Sequence, residues 1–171
     1  MNPQALFKVS YGVYIVSSSL HGKLNGQIAN TVFQTASEPQ IITICINKQN
    51  LTHEYIKESG KFSVSILAKE TPMKFIGKFG FKSGRDIDKF SDTQYKLGST
   101  GSPIVLENAV GYLEAEVVSS ADSVTHTLFI GKIIEAEITS DAEPMTYAYY
   151  HQVKQGLSPK SAPTYIKEGT K

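Results

Sequence analysis

The 171-residue chain has one cysteine, Cys45, and one arginine, Arg85. A single thiol excludes an internal disulfide framework and any multi-cysteine metal or iron–sulfur site within this chain. No apolar run approaches the roughly 20 residues that span a bilayer. The start, MNPQALFKVSYG, has neither the basic segment nor the apolar core of a secretion signal. A cytoplasmic location is the expectation that follows. Lysines are scattered among acids to a formal net charge of +1, so no clustered basic face for nucleic acid is expected. Also missing are a G-x-S-x-G elbow, a Walker-type phosphate loop, a dinucleotide glycine fingerprint and an HExxH zinc helix. The four histidines, His21, His53, His126 and His151, lack ligand-like spacing, so no metal site is expected. An enzyme without such groups can still act if a bound cofactor performs the chemistry.

What is present describes a globular chain of 18.7 kDa with 40% hydrophobic residues, enough for one domain over 1–171. A short helix is expected over 3–8. GVYIVSSS (12–19) is β-branched and aromatic and predicts a strand. HGKLNG (21–26) predicts a hairpin loop with Asn25 and Gly26 as its turn. QIANTVFQTAS (27–37) predicts a second strand, which Glu38 and Pro39 break. QIITICIN (40–47) predicts a strand covered on both faces, with Cys45 as a small buried apolar group. LTHEYIKESG (51–60) predicts a helix, with Thr52 as N-cap and Gly60 as its stop. KFSVSIL (61–67) alternates as a half-buried strand, and TPMKFIGKFGF (71–81) starts a short helix at Thr71 and Pro72. From Gly80 to Ser102 a glycine-rich, charged stretch predicts a long surface excursion. Two strands are expected over 103–123 and one over 125–139, where Gly131 marks a bulge or a close backbone approach. From about 141 the chain predicts an ordered arm that wraps something. Strand after strand with few helices predicts a mainly β, antiparallel barrel with short helical insertions.

The run GQIANTVFQTASEPQIITICINKQNLTHEYIKESGKFSVSIL, with FIGKFGFKSGRDIDKF and HTLFIGKIIEAE, resembles the flavin-reductase-like, FMN-binding split-barrel family. The C-terminal EPMTYAYYHQVKQGLSPKSAPTY resembles its flavoredoxin and high-molecular-weight-rubredoxin subgroup. The resemblance implies FMN as cofactor. Gln27, Ile28, Ala29, Asn30 and Thr31 would line the isoalloxazine ring; Lys48, Asn50 and Thr52 would hold the phosphate. Gly80, Phe81, Lys82 and Arg85 would close over the ribityl phosphate. His126 would lie near the substrate side, whereas Tyr147, Tyr149 and Tyr150 read as arm and interface packing. No side chain is assigned a catalytic role, since flavin N5 would carry the chemistry. The implied activity is an NAD(P)H-dependent flavin oxidoreductase, homodimeric, passing electrons to a separate small molecule or a redox protein such as rubredoxin. Two alternatives stay open: a flavoredoxin-like electron carrier without NAD(P)H activity, and a non-redox ligand-binding split barrel.

Overall fold

The computed structural model describes residues 2–165, and its architecture follows from one seven-stranded antiparallel sheet that curls on itself. A 3-10 turn at Pro3–Lys8 leads into β1 (Tyr14–Leu20), which pairs with β2 (Lys23–Ala29). His21 (φ +48°) and Gly22 (φ +76°) make the two-residue turn between them. Positive φ at both central positions is what the twist of such a hairpin requires. The turn is therefore not at Asn25 and Gly26, which sit inside β2 opposite Ser18 and Ser17. Gly26 is needed for packing: a Cβ there would lie 2.6 Å from Ser17 Oγ.

The expected single strand 27–37 is two strands. β2 ends at Ala29, and β3 (Val32–Ser37) begins after Asn30 and Thr31. These two residues carry the chain from one sheet edge to the other, because the strand order is β2-β1-β5-β8-β9-β4-β3. Edges joined by two residues can exist only if the sheet bends until they nearly meet. That is the split barrel.

β3 turns at Glu38–Pro39, a cis peptide, into β4 (Gln40–Asn47), placed as expected and paired on its other side with β9. Helix α1 (Leu51–Ser59) stops at Gly60, whose φ of +68° lets its N–H reach Ile56 O. Its N-cap position is Asn50 and not Thr52. Thr52 is two residues further in, inside the helix, and its hydroxyl accepts from Asn25 Nδ2. β5 (Lys61–Leu67) is buried on both faces, not half-buried, since Ser63 and Ser65 are as fully covered as Phe62 and Val64. Ser63 Oγ donates to Pro103 O at 2.6 Å. Helix α2 (Met73–Gly80) starts one residue later than predicted, with Pro72 at the N-cap; Thr71 Oγ1 donates back to Ala68 O.

The stretch after α2 is not wholly a surface excursion. Lys89, Phe90 and Thr93 are buried, and the Phe90 ring meets both Phe79 and Tyr95 edge-on. A small hairpin follows, β6 (Tyr95–Leu97) with β7 (Pro103–Val105). β8 (Ala109–Ser123) and β9 (His126–Ile138) form the long hairpin at the centre of the sheet. Gly131 is a close-approach glycine: an added Cβ would stand 2.7 Å from the Phe62 ring.

One hydrophobic cluster, including Ile44, Ile46, Ile56, Phe62 and Phe129, fills the inside of the curl. The other, including Ile15, Leu67, Ile76, Phe79 and Met145, seats α2 and the arm. Met145 is tied into the backbone between Val13 and Leu67, and α3 (Tyr147–Gln152) follows. The arm therefore lies on its own chain. Among the described residues no helix is long and apolar enough to cross a membrane.

Candidate functional site

Because the sheet edges almost meet, the end of β2, the end of β4, the start of α1 and the end of α2 surround one cleft. Its volume is about 370 Å³, and residues 157–163 of the arm lie across it. Gln27, Ile28, Ala29 and Asn30 form one wall, with Asn50 and Thr52 at the start of α1. Gly80 ends α2 with Phe81 and Lys82 just beyond it, and His126 comes from the start of β9. No aspartate or glutamate lines it among the described residues. A cleft of amides, hydroxyls and lysines without acids favours an anionic ligand.

Three residues singled out in the sequence are placed elsewhere. Thr31 is behind the wall, donating from Oγ1 to Asn30 Oδ1 at 3.0 Å, so it orients Asn30. Lys48 points away and pairs with Asp122 at 3.1 Å. Arg85 pairs through both guanidinium N–H groups with the Glu54 carboxylate on the first turn of α1. Cys45 is half-buried and lines the cleft, not fully buried as expected, because the crossing at Asn30 and Thr31 leaves its side uncovered. Burial pushes its thiol up, so it stays protonated.

Several wall residues escaped the sequence reading. Asn25 was hidden by its resemblance to a turn residue. Its Nδ2 donates to Thr52 Oγ1 at 2.8 Å, a buried link that ties β2 to the start of α1. Asn47 and Lys89 carry no local signal of their role. Tyr147 and Tyr150 also reach the cleft. Gln27 has the most telling atom: Oε1 is buried with no partner among the described residues, while Nε2 reaches only Ile28 O at 3.5 Å. An acceptor left unpaired inside a protein is costly unless a ligand donor meets it.

The arm makes specific contacts with this wall. Ser161 O accepts from Asn47 Nδ2 and from His126 Nε2, both at 3.2 Å. Asn30 Nδ2 donates to Thr164 Oγ1 at 2.8 Å, and the Tyr147 hydroxyl meets both Thr164 and Ser158. With Nε2–H committed to a carbonyl, His126 uses Nδ1 to accept from Thr125 Oγ1 at 2.8 Å.

Behind the cleft floor, buried His53 on α1 gives its Nε2–H to Thr127 Oγ1 at 2.9 Å, and that hydroxyl donates to Asp122 Oδ1. Burial first, and Lys57 second, hold the His53 imidazole below its usual range. The unfolded chain therefore binds the proton first. Stability is expected to be intact above about pH 6.5 and to fall as pH drops below it. Denaturation midpoints measured from pH 7.5 to 5 check this, with His53→Gln expected to flatten the slope.

Comparison with known proteins fits this geometry. The model of the family described as Flavin reductase like domain matches residues 6–158. A ferric-chelate reductase (NAD(P)H) of Archaeoglobus fulgidus is 50% identical over 167 residues, covering 98% of this chain and 99% of that one. A high molecular weight rubredoxin of Moorella thermoacetica is 49% identical over 165 residues, 96% of this chain and 72% of that protein. Among solved structures, an NADH:FAD oxidoreductase of Streptomyces globisporus superposes with a TM-score of 0.78 at 24% identity, covering 85% of this chain and 86% of the other. The chain belongs to the flavin reductase like domain family and is an oxidoreductase of that family.

Proposed function

We propose that this chain binds FMN and uses NAD(P)H to reduce it, handing the electrons to a separate acceptor. The observation that carries this reading is the acid-free cleft itself, with an orphaned acceptor at Gln27 on one wall and the start of α1 at the other. Gln27 Oε1 fits the ring N–H of a flavin, and Ile28, Ala29 and Asn30 continue that edge. Asn50, Thr52 and the first amides of α1 suit the phosphate, since helix N-termini favour anions. Gly80, Phe81 and Lys82 close the remaining side. When bound, the flavin supplies the one- and two-electron chemistry that no side chain here provides. The volume of about 370 Å³ is within the range of small-molecule sites. The names of the two half-identical relatives support NAD(P)H as donor, and a ferric chelate or a rubredoxin-type protein as acceptor. A homodimer is part of the same proposal, supported by the exposed apolar residues Val118, Val124 and Ile138 along the β8–β9 hairpin.

A second reading, an electron carrier that ignores NAD(P)H, is favoured by the arm. Ser161 already holds His126 and Asn47, on the side where a nicotinamide would lie. An anaerobic titration decides between them. The expected result is that the FMN-loaded protein loses its absorbance near ~450 nm on adding NADH or NADPH. Bleaching by dithionite alone selects the carrier. Failure to bind FMN at all refutes both readings.

A further inference from the structure

Lys89 is a buried cation with no counter-ion among the described residues. It is 4% exposed and lines the cleft. Its Nζ donates to Gly26 O at 2.8 Å and to Phe79 O at 3.2 Å, which uses two of its three N–H groups. Among the described residues none of the ion pairs includes it. Burial pushes its ammonium down to about 8. A charge taken out of water and met by two carbonyls and, at 5.9 Å, by the face of the Phe79 ring is expensive to keep, and an anion beside it would offset that cost.

Its position says which end of the cleft the anion occupies. Gly26, the carbonyl it holds, follows Asn25, whose side chain binds Thr52 near the start of α1. Gly84 closes the same corner: a Cβ there would lie 2.0 Å from Asn25 Oδ1, so only glycine lets the 83–84 backbone approach so closely. Lys89, Thr52 and the first turn of α1 thus converge on one end. Lys82 also lines the cleft but is exposed to water, so Lys89 is the buried cation there. Lys48 and Arg85 are committed to Asp122 and Glu54 and do not line the cleft.

We propose that Lys89 is the cationic anchor for the phosphate monoester of the bound flavin, its free N–H pointing to a phosphate oxygen. This rests on the reading of the cleft as a flavin site and adds to it the group that tells FMN from an unphosphorylated flavin. The competing role is structural: an ammonium at the C-terminal end of α2 caps the Phe79 carbonyl and pins residues 86–90 to β2.

The test is a pair of binding titrations, with FMN and with riboflavin, on wild type, Lys89→Gln and Lys89→Arg. Gln keeps a donor for the two carbonyls and removes the charge. It is expected to weaken FMN by about ten- to a hundredfold and riboflavin by less than about twofold. Arg, which keeps the charge, is expected to restore most of the FMN preference. Equal losses for both flavins in Lys89→Gln would leave only the structural role and overturn the proposal. Wild type that binds neither flavin would overturn the flavin reading itself, a distinguishable result. Should Lys89→Gln not fold, lysine side-chain NMR of the wild type decides: the Lys89 ε-carbon signal is expected to move with FMN and not with riboflavin. The same response to both ligands would refute the anchor.

Discussion

Replacing Glu114 by alanine is expected to lower the free energy of unfolding by about 3–5 kcal/mol. Its carboxylate has no exposed surface, yet no cation pairs with it among the described residues. Instead it accepts from Ser99 N, Ser99 Oγ and Thr100 N, each at 2.9 Å, and from the Thr100 hydroxyl. Four donors converge on one anion, and its removal orphans all of them. Each buried donor left unpaired costs about 1–3 kcal/mol, reduced where the loop can open to water. Gly98 belongs to the same device, because a Cβ there would stand 2.2 Å from Glu114 Oε1. The loop at 98–102 wraps the carboxylate so closely that neither partner tolerates change. For a domain of this size the loss amounts to roughly 10 °C in Tm. Thermal and urea denaturation of Glu114→Ala, with Glu114→Gln as the near-isosteric control, measure it. A change below about 1 kcal/mol would mean that the loop gives up its hydrogen bonds at no cost.

Glu114 also shows what kind of information the sequence withholds. Within β8 it stands among alternating apolar and charged residues and reads as one more outward-facing acid. Its burial is decided by the β6–β7 hairpin and its 98–102 loop, of which β6 and the loop carry no strand signal of their own. By contrast β4 was legible because β-branched residues fill it almost without interruption, and a strand covered on both sides needs nothing else. The end of α1 at Gly60 was legible because only glycine takes that φ cheaply.

Local signals failed where two of them competed. Asn25 and Gly26 make the strongest hairpin dipeptide in the chain, but His21 and Gly22 take the turn, and pairing of Ser18 with Asn25 puts the dipeptide in mid-strand. Thr52 was a good capping residue by type, but it sits inside the helix and its hydroxyl accepts from Asn25. The same exchange made the cleft. Residues 27–30, 50 and 52, which the family resemblance singled out, do line one cleft. Arg85 and Lys48, singled out by the same resemblance, pair with nearby carboxylates outside it. Polarity in a strand is informative because strands disfavour it. Charge in a loop is not, because a carboxylate is rarely far away.

The arm yields the second large effect. Ending the chain after Gly156 is expected to speed the release of bound flavin by about ten- to a hundredfold. Leu157, Ser158, Pro159 and residues 161–163 line the cleft, and three of its wall residues spend hydrogen bonds on the stretch 157–164: Asn30 on Thr164, Asn47 and His126 on Ser161. Each such bond is worth about 1 kcal/mol net, and two or three must break before a ligand beneath can leave. Tyr147 makes the segment cooperative, since one hydroxyl holds both Ser158 and Thr164. Tyr147→Phe is accordingly expected to produce an intermediate rate while leaving Asn30, Asn47 and His126 in place. Stopped-flow recovery of free-flavin fluorescence on dilution reads the rate for all three proteins. If the arm is a cover, release quickens from wild type to Tyr147→Phe to the truncated chain, with the association rate rising in the same order. If the three rates agree, the segment rests beside the ligand's route and does not gate it. A cover that holds His126 also sets a condition on the proposed electron donor: if it is NAD(P)H, it must displace Ser161 before reaching that ring. The truncated chain should then show a lower KM for NAD(P)H even as it holds its flavin less firmly.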